Sequence, residues 1–177
     1  MIIYGQFQES PLGPLWIAIS ERGVVAVEYQ ENQAAFIQFL YRFSDEEPIQ
    51  NQKEIEEIVI KLDRYFIGEE LDLEVPIDWS KIADFQRQVL QEVCKIAPGS
   101  TKTYGQIANQ IGRDKYSARA VGRANATNPI PIIIPCHRVV GANGELTGYG
   151  GPGGIKTKAW LLSHEGCEFG HQLKFPL

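Results

Sequence analysis

The chain has 177 residues, of which 44% are apolar and 22% charged, and its formal net charge is −5. A chain of this length can form one large or two small domains that bury their own cores, so no disulfide framework is needed. It contains no run of about twenty apolar residues, and its start, MIIYGQFQES, lacks the basic and apolar regions of a secretory signal, so we expect a cytoplasmic protein without a membrane span.

Residues 1–30 predict a three-stranded meander. Three apolar stretches, IIYGQFQ, LWIAIS and VVAVEYQ, are separated by the turn signals SPLGP and ERG. Short stretches rich in β-branched and aromatic residues, bounded by glycine or proline, are typical of antiparallel strands.

Two helices and a strand are predicted next. Apolar side chains recur at helical spacing from residue 36 to 43 and again from residue 55 to 66, and Gly68 ends the second helix. The stretch LDLEVPI then alternates between apolar and polar residues as a strand does. We interpret these stripes as core and assign them no functional role.

The sign of the charge changes near residue 80, where we place a domain boundary. Residues 1–80 contain 5 Lys/Arg and 16 Asp/Glu, a net charge of −11, whereas residues 81–177 contain 12 and 6, a net charge of +6. Because basic segments attract polyanions, this division indicates that the second half, rather than the first, meets nucleic acid.

The basic half begins with three predicted helices. Asp84 is a candidate N-cap for the first, and Thr103 with Gln106 forms a capping box for the second. Ser117 is a candidate N-cap for the third helix, ARAVGRANAT. Two helices joined by a short turn in a basic region predict a helix-turn-helix, although helical hairpins also occur in proteins that do not bind DNA.

The third helix carries little side-chain bulk. Arg119 and Arg123 lie four residues apart and therefore share one face. Small side chains allow a helix to approach phosphates or a narrow minor groove, but they also allow tight packing on a neighbouring helix, and both interpretations stay open. The small residues are Ala118, Ala120, Gly122, Ala124 and Ala126.

The segment NPIPIIIPCHRVVG leads an apolar run to a lone cysteine. Asn128 and Pro129 end the preceding helix, because proline disfavours helical conformation in the residue before it. IPIII is too short for a helix and rich in β-branched residues, so we expect it to be buried and extended.

A glycine-rich loop and a last helix complete the predicted elements. VVGANGELTGYGG is typical of a hairpin or loop that turns at Asn143 and Gly144. The helix IKTKAWLLSHEG presents Trp160 and Leu161 to the core.

Cys136 is a candidate nucleophile. A free thiol has a pKa of about 8.5, so a reactive cysteine needs a base or a positive charge nearby. His137 is adjacent, but neighbours on an extended chain point to opposite sides, so a sharp turn or a bridging water is required. Glu165, beside His164, is available to orient an imidazole. From spacing alone, an inert buried cysteine remains the alternative.

The number and spacing of the three cysteines predict thiols and not disulfides. Cys94, Cys136 and Cys167 cannot all pair, and none belongs to a C-x-x-C arrangement. A reducing compartment is therefore expected, and neither a zinc ribbon nor a redox couple is predicted.

The sequence around Cys136 closely resembles the active-site segment of the O6-alkylguanine-DNA alkyltransferase family, whose reactive cysteine lies in a P-C-H-R-V context. TYGQIA, SARAVGRANATNPIP, LTGYGG and KAWLLSHEG resemble that family's other C-terminal motifs and follow in the same order. The motifs cover most of residues 85–166. Residues 1–80 match only in length and in strand-then-helix order.

This resemblance implies an α+β protein of two domains. Residues 1–80 would form a support domain with a small β-sheet and helices, resembling ribonuclease H. Residues 81–177 would form a mostly helical domain of winged helix-turn-helix type that binds DNA and accepts the alkyl group.

The resemblance also implies DNA repair by direct reversal. A methyl or larger alkyl group would pass from O6-alkylguanine, with O4-alkylthymine as a second candidate, irreversibly and once to Cys136. The enzyme would be a single-turnover methylated-DNA–protein-cysteine S-methyltransferase that needs no metal or organic cofactor. Its partner would be double-stranded DNA, bound in the minor groove by a monomer with the target nucleotide flipped.

In the implied site, Cys136 is the alkyl acceptor. His137 is linked to it through water, Glu165 orients His137, and Asn128 braces the turn that holds the cysteine. Tyr104 contacts the target base, presses on its 3′ phosphate and stabilises the departing guanine.

Further residues are implied to bind DNA and the flipped base. Arg119 fills the gap left in the base stack, and the Val139 carbonyl accepts from the guanine amine. The remaining DNA contacts on the same helix are Ala118, Gly122 and Arg123. The loop that closes the pocket contributes Tyr149, Gly150 and Lys158. Residues 150–154 make this loop longer than the family's usual spacing, which would alter the alkyl groups that fit.

Two rival functions are compatible with the same residues. The first is a non-enzymatic module that binds alkylated DNA and recruits other repair factors. The second is a multiple-turnover hydrolase that acts through Cys136 and His137. Related alkyltransferase-like proteins carry tryptophan in place of the nucleophile, so the presence of Cys136 favours repair.

Overall fold

The computed structural model describes residues 1–29 and 32–167. The chain divides into two compact units, Met1–Ile82 and a second that begins at Ala83. A small sheet with helices in the first unit and a mostly helical second unit confirm the predicted α+β class. Within the described residues, no helix is both long and apolar enough to cross a membrane.

The predicted meander is confirmed in the N-terminal unit. Strands β1 (Ile3–Phe7), β2 (Leu15–Ser20) and β3 (Gly23–Glu28) pair antiparallel, and β4 (Ile49–Gln50) adds a parallel partner to β1. The strand order is β3-β2-β1-β4.

Helices pack on this sheet through alternating side chains. Tyr4 and Trp16 contact Phe36 of α1 (Gln33–Leu40), with ring centroids 6.0 and 5.7 Å away. Gly5 lies beside Ile55, and a Cβ there would come within 2.8 Å of the Ile55 side chain. Helix α2 (Glu56–Phe66) follows directly and ends before Gly68, whose φ of 79° suits only glycine well.

The strand predicted for LDLEVPI is wrong. Only Ile77 forms an isolated bridge, to Val24 of β3. Val24 donates its N–H to the Pro76 carbonyl at 2.8 Å, and Asp78 donates to the Val24 carbonyl at 3.0 Å. Pro76 has no N–H, so the ladder cannot continue through it.

The C-terminal unit contains four helices and one pair of short strands among the described residues. Strands β5 and β6 pair in parallel. In chain order the elements are α3 (Asp84–Cys94), β5 (Lys102–Thr103), α4 (Tyr104–Gln110), α5 (Ala118–Ala126), β6 (Val139–Val140) and α6 (Ile155–His164).

The predicted caps have mixed outcomes. The capping box of Thr103 and Gln106 is present. Asp84 is not the N-cap of α3, because Ala83 already holds that position and the Asp84 carboxylate accepts from Arg87 at 2.6 Å. Ser117 occupies the N-cap of α5, but its hydroxyl bonds to Asp114 instead of capping the helix. A short 3-10 turn therefore joins α4 to α5.

The segment IPIII is buried as predicted but is not extended. Ile134 donates its N–H to the Ile130 carbonyl at 2.9 Å, which closes a tight turn. Ile132 has a φ of 74°, a conformation that is strained for a β-branched residue. The turn forms because the Asn128 side chain accepts from the Ile130 N–H at 3.0 Å and donates to the Ile134 carbonyl at 2.9 Å.

The last predicted elements are largely present. Residues 141–145 form the loop that turns at Gly144, whose N–H donates to the Gly141 carbonyl at 3.0 Å. In α6, Leu161 is buried as predicted. Trp160 is only half-buried and stacks on His164 with ring centroids 5.0 Å apart, so its predicted core position is wrong in part.

Candidate active site

Cys136 begins a 3-10 turn, Cys136–Arg138. Only 7% of the surface of Cys136 is exposed. Asn125 of α5 donates to the Cys136 carbonyl at 3.0 Å, while Asn128 donates to the Ile134 carbonyl. Two side-chain amides therefore hold the backbone on either side of Pro135. The bond from Asn125 connects the position of the thiol to α5.

Burial favours the neutral thiol of Cys136. It raises the pKa of that thiol, while the Asn128 side chain and the charge of Lys158 lower it without reversing the shift. The resting residue is therefore a protonated thiol, and a base is required to make it nucleophilic.

His137 follows Cys136 in the same 3-10 turn. Its Nε2 lies 2.8 Å from Oε1 of Glu165, and both side chains are fully buried. Burial lowers the pKa of His137, although Glu165 raises it, so the ring is neutral at physiological pH. Because the carboxylate only accepts, Nε2 carries the proton and Nδ1 is left as the acceptor. Nδ1 is buried and has no hydrogen-bond partner among the described residues.

Arg138 neutralises the carboxylate that orients His137. It donates from Nε to Oε2 of Glu165 at 2.8 Å and from Nη2 to Oε1 at 2.9 Å, and from Nη1 to the Ile96 carbonyl at 2.5 Å. Burial raises the pKa of Glu165, but hydrogen bonds from His137 and Arg138 outweigh it and lower the pKa to about 2. Sequence reasoning missed this arginine. The signal was a basic residue beside the Cys-His pair, because a buried carboxylate needs a counter-charge.

Lys158 is fully buried near the thiol. Its Nζ donates to the carbonyls of Val139 at 2.6 Å and Thr147 at 2.9 Å, and lies 6.0 Å from the ring centroid of Tyr104. Burial lowers its pKa to about 8, while Cys136 acts in the opposite direction. The Val139 carbonyl, implied to bind guanine, therefore already accepts one hydrogen bond and retains a second lone pair.

Replacing Lys158 with methionine is expected to move alkylation of Cys136 by iodoacetamide to higher pH. The ammonium lowers the pKa of the thiol, and its removal leaves the effect of burial less opposed. The rate is measured as a function of pH from the mass of the Cys136 peptide. Because the pKa of Lys158 is about 8, the difference in alkylation rate between the variant and the unmodified protein should narrow above that pH. Lys156→Met, on the exposed side of the same helix, is the control, and an unmoved curve for Lys158→Met would contradict this coupling.

An open, mainly apolar groove of about 520 Å³ lies along α5. Tyr104 packs on this helix at Gly122, where an added Cβ would lie 3.7 Å from the ring. Arg123 is exposed on α5 but does not line the groove, and neither does Tyr149. The lining residues are Thr103, Tyr104, Gly105, Ala118, Arg119, Gly122, Ala126, Ala142, Thr147 and Gly148.

The loop before α6 is held at both ends. Thr147 accepts from Lys158 at its start, and Thr157 donates its hydroxyl to the Pro152 carbonyl near its end. Gly150 approaches α5, where an added Cβ would lie 3.5 Å from the Ala126 carbonyl. The loop thus lies next to the C-terminal end of α5.

The fold and the site define an α+β protein with a candidate cysteine nucleophile in the same unit as two helices joined by a short turn. A family model for the 6-O-methylguanine DNA methyltransferase DNA binding domain matches residues 84–167. A second, for the ribonuclease-like domain of the same family, matches residues 2–79, where the sequence motifs had indicated only similar length and order.

Relatives span nearly the whole chain. The methylated-DNA–protein-cysteine methyltransferase of Shigella flexneri is 40% identical over 163 residues, which cover 89% of this chain and 92% of that protein. The protein of the same name from Methanosarcina acetivorans is 39% identical over 167 residues, covering 93% and 99%. The crystal structure of Mycobacterium tuberculosis OGT in complex with DNA is similar, with a TM-score of 0.76, 38% identity and 92% of each chain covered. This chain belongs to the 6-O-methylguanine DNA methyltransferase family.

Proposed function

We propose that this protein repairs DNA by transferring an alkyl group from O6-alkylguanine to Cys136. The observation that carries this proposal is the buried cluster of Cys136, His137, Glu165 and Arg138, which supplies a nucleophile, a base and a fixed countercharge. The names of the relatives, methylated-DNA–protein-cysteine methyltransferase, support the same reaction.

In the proposed reaction, Nδ1 of His137 takes the thiol proton through a bridging water. The thiolate attacks the alkyl carbon, a carbon–sulfur bond forms, and the carbon–oxygen bond to guanine breaks. The electron pair leaves with the base, and the Tyr104 hydroxyl donates a proton to it. Glu165 stabilises the imidazolium while Arg138 keeps that carboxylate ionised.

Substrate access is proposed to occur through the groove along α5. The target oxygen lies within the base stack, so the nucleotide must flip out at a cost of a few kcal/mol. Ala118 and Gly122 leave room for α5 to approach the minor groove, and Arg119 fills the gap in the stack. The DNA complex of the M. tuberculosis relative supports DNA binding. We propose further that the protein acts as a monomer, and in the cytoplasm, where a reducing environment would keep its cysteines as thiols.

Replacing Arg119 with alanine is expected to slow repair in duplex DNA more than reaction with free O6-benzylguanine. The arginine offsets the cost of flipping, a cost that a free base does not incur. Single-turnover rates on the two substrates measure this difference. The control is Arg123→Ala, one turn along α5, which should weaken duplex binding without changing the rate at saturation. Equal losses on both substrates for Arg119→Ala would contradict its stacking role.

The proposed function is tested by the stoichiometry of the reaction. A thioether is stable in water, and no residue described at the site can regenerate the thiol, so each molecule should act once. Protein is incubated with an excess of duplex containing one O6-methylguanine, and repaired guanine is counted. We expect a plateau at one equivalent. Binding without product would favour the non-enzymatic module, and product well beyond one equivalent would favour the hydrolase.

A further inference from the structure

We infer that Thr147 is a positioning residue for alkyl transfer, because its hydroxyl donates to the hydroxyl of Tyr104 and supports that phenol as a proton donor. This inference rests on the proposed function and adds to it a residue that does not touch the reacting atoms.

The contact joins two distant parts of the chain. Oγ1 of Thr147 lies 3.2 Å from the Tyr104 hydroxyl oxygen, and the two residues are 43 positions apart. Both line the groove along α5. Tyr104 is the first residue of α4, and the capping box fixes the N-terminus of that helix. The helix therefore positions Tyr104, and Thr147 contacts it from a loop.

Thr147 is itself held by a buried group. Its backbone carbonyl accepts from Nζ of Lys158 at 2.9 Å, and Lys158 is fully buried. The carbonyl therefore anchors the residue, whereas the hydroxyl makes the contact with Tyr104. Because two different groups of Thr147 make these contacts, they can be changed separately.

The chemistry of the step gives the hydroxyl a role. As guanine departs, negative charge develops on the base and the Tyr104 proton moves toward it. A second donor on the phenol oxygen then stabilises the charge that builds up there, because hydrogen bonds in a chain strengthen one another. The Thr147 contact should thus be stronger in the transition state than in the resting protein, which is the condition for a faster chemical step.

The test is a double-mutant cycle with Thr147→Val and Tyr104→Phe. Valine matches threonine in shape, lacks the hydroxyl and leaves the carbonyl bond to Lys158 intact. Loss of one hydrogen bond predicts a fall of about five-fold in the single-turnover rate at saturating duplex, with Kd unchanged. Thr147→Ser, which keeps the hydroxyl, should restore most of the rate. In the Tyr104→Phe background, Thr147→Val should cause no further loss.

Three results would overturn the inference. The first is that Thr147→Val lowers the single-turnover rate as much in the Tyr104→Phe background as in the unmodified protein. The others are a Thr147→Ser rate as low as that of Thr147→Val, and an effect of Thr147→Val on Kd alone. Unaltered thermal unfolding of Thr147→Val excludes a general loss of structure.

The same experiment separates failure of this inference from failure of the proposed function. If the unmodified protein and Thr147→Val both transfer at the normal rate, only the role of Thr147 is rejected. If the unmodified protein transfers nothing, the proposed function is rejected.

Discussion

Replacing Cys136 with alanine is expected to abolish alkyl transfer while duplex affinity stays within about twofold, because affinity comes mainly from contacts to the DNA backbone and not from the thiol. The alanine variant also retains the turn that holds residue 136, since Asn125 binds its backbone carbonyl and Asn128 binds that of Ile134. Nothing else in the proposed reaction can accept the alkyl group.

Repaired guanine and duplex affinity are measured on the same preparation. The matched control is Cys94→Ala, since Cys94 is a partly exposed cysteine at the end of α3. That variant should transfer at the normal rate. Residual repair by Cys136→Ala above that of a protein-free reaction would show that another group accepts the alkyl chain.

Replacing Glu165 with glutamine is expected to reduce the transfer rate by about 10²-fold or more, because His137 loses the group that orients it and stabilises its charge. It should also destabilise the C-terminal unit by about 3–5 kcal/mol, since Arg138 would remain buried without its counter-charge. Glutamine keeps the size of the side chain, so these effects report the charge rather than a cavity.

The same charge predicts how stability depends on pH. The pKa of Glu165 falls from 4.5 to about 2 on folding, so its contribution is fully present above pH 4.5 and is lost as pH falls through 2. Urea unfolding at pH 7 and at stepwise lower pH measures this contribution. Glu92→Gln, which removes a surface pair with Lys95, is the control and should cost at most about 1 kcal/mol. Equal losses in the two variants would contradict the role of the buried cluster.

Local patterns predicted the elements that depend on local interactions. The meander of residues 1–30 and the capping box at Thr103 follow from turn signals and residues three apart. The strand prediction for LDLEVPI was wrong because alternating apolar and polar residues do not show whether a neighbouring strand is available for pairing. Pro76 also prevents a continued ladder. IPIII was predicted to be buried but not to turn, because the turn depends on the side-chain amide of Asn128.

The site shows the same division between local and distant contacts. His137 was a weak candidate partner for Cys136 because adjacent side chains on an extended chain point to opposite sides. Residues Cys136–Arg138 form a 3-10 turn instead, so that objection does not apply. The sequence offered Glu165 as a carboxylate that can orient an imidazole, and resemblance to a known family paired it with His137, 28 positions away. Arg138 and Thr147 were missed because their roles come from distant partners, the Glu165 carboxylate and the Tyr104 hydroxyl.

Whether Cys136 is the alkyl acceptor is decided by locating the transferred group on the protein. Protein is incubated with duplex containing O6-methylguanine labelled in its methyl group, digested, and analysed by tandem mass spectrometry. Transfer to Cys136 predicts label on the peptide containing Cys136 and none on those containing Cys94 or Cys167. Label on either of the other cysteines, or guanine repaired with no label on the protein, would contradict it.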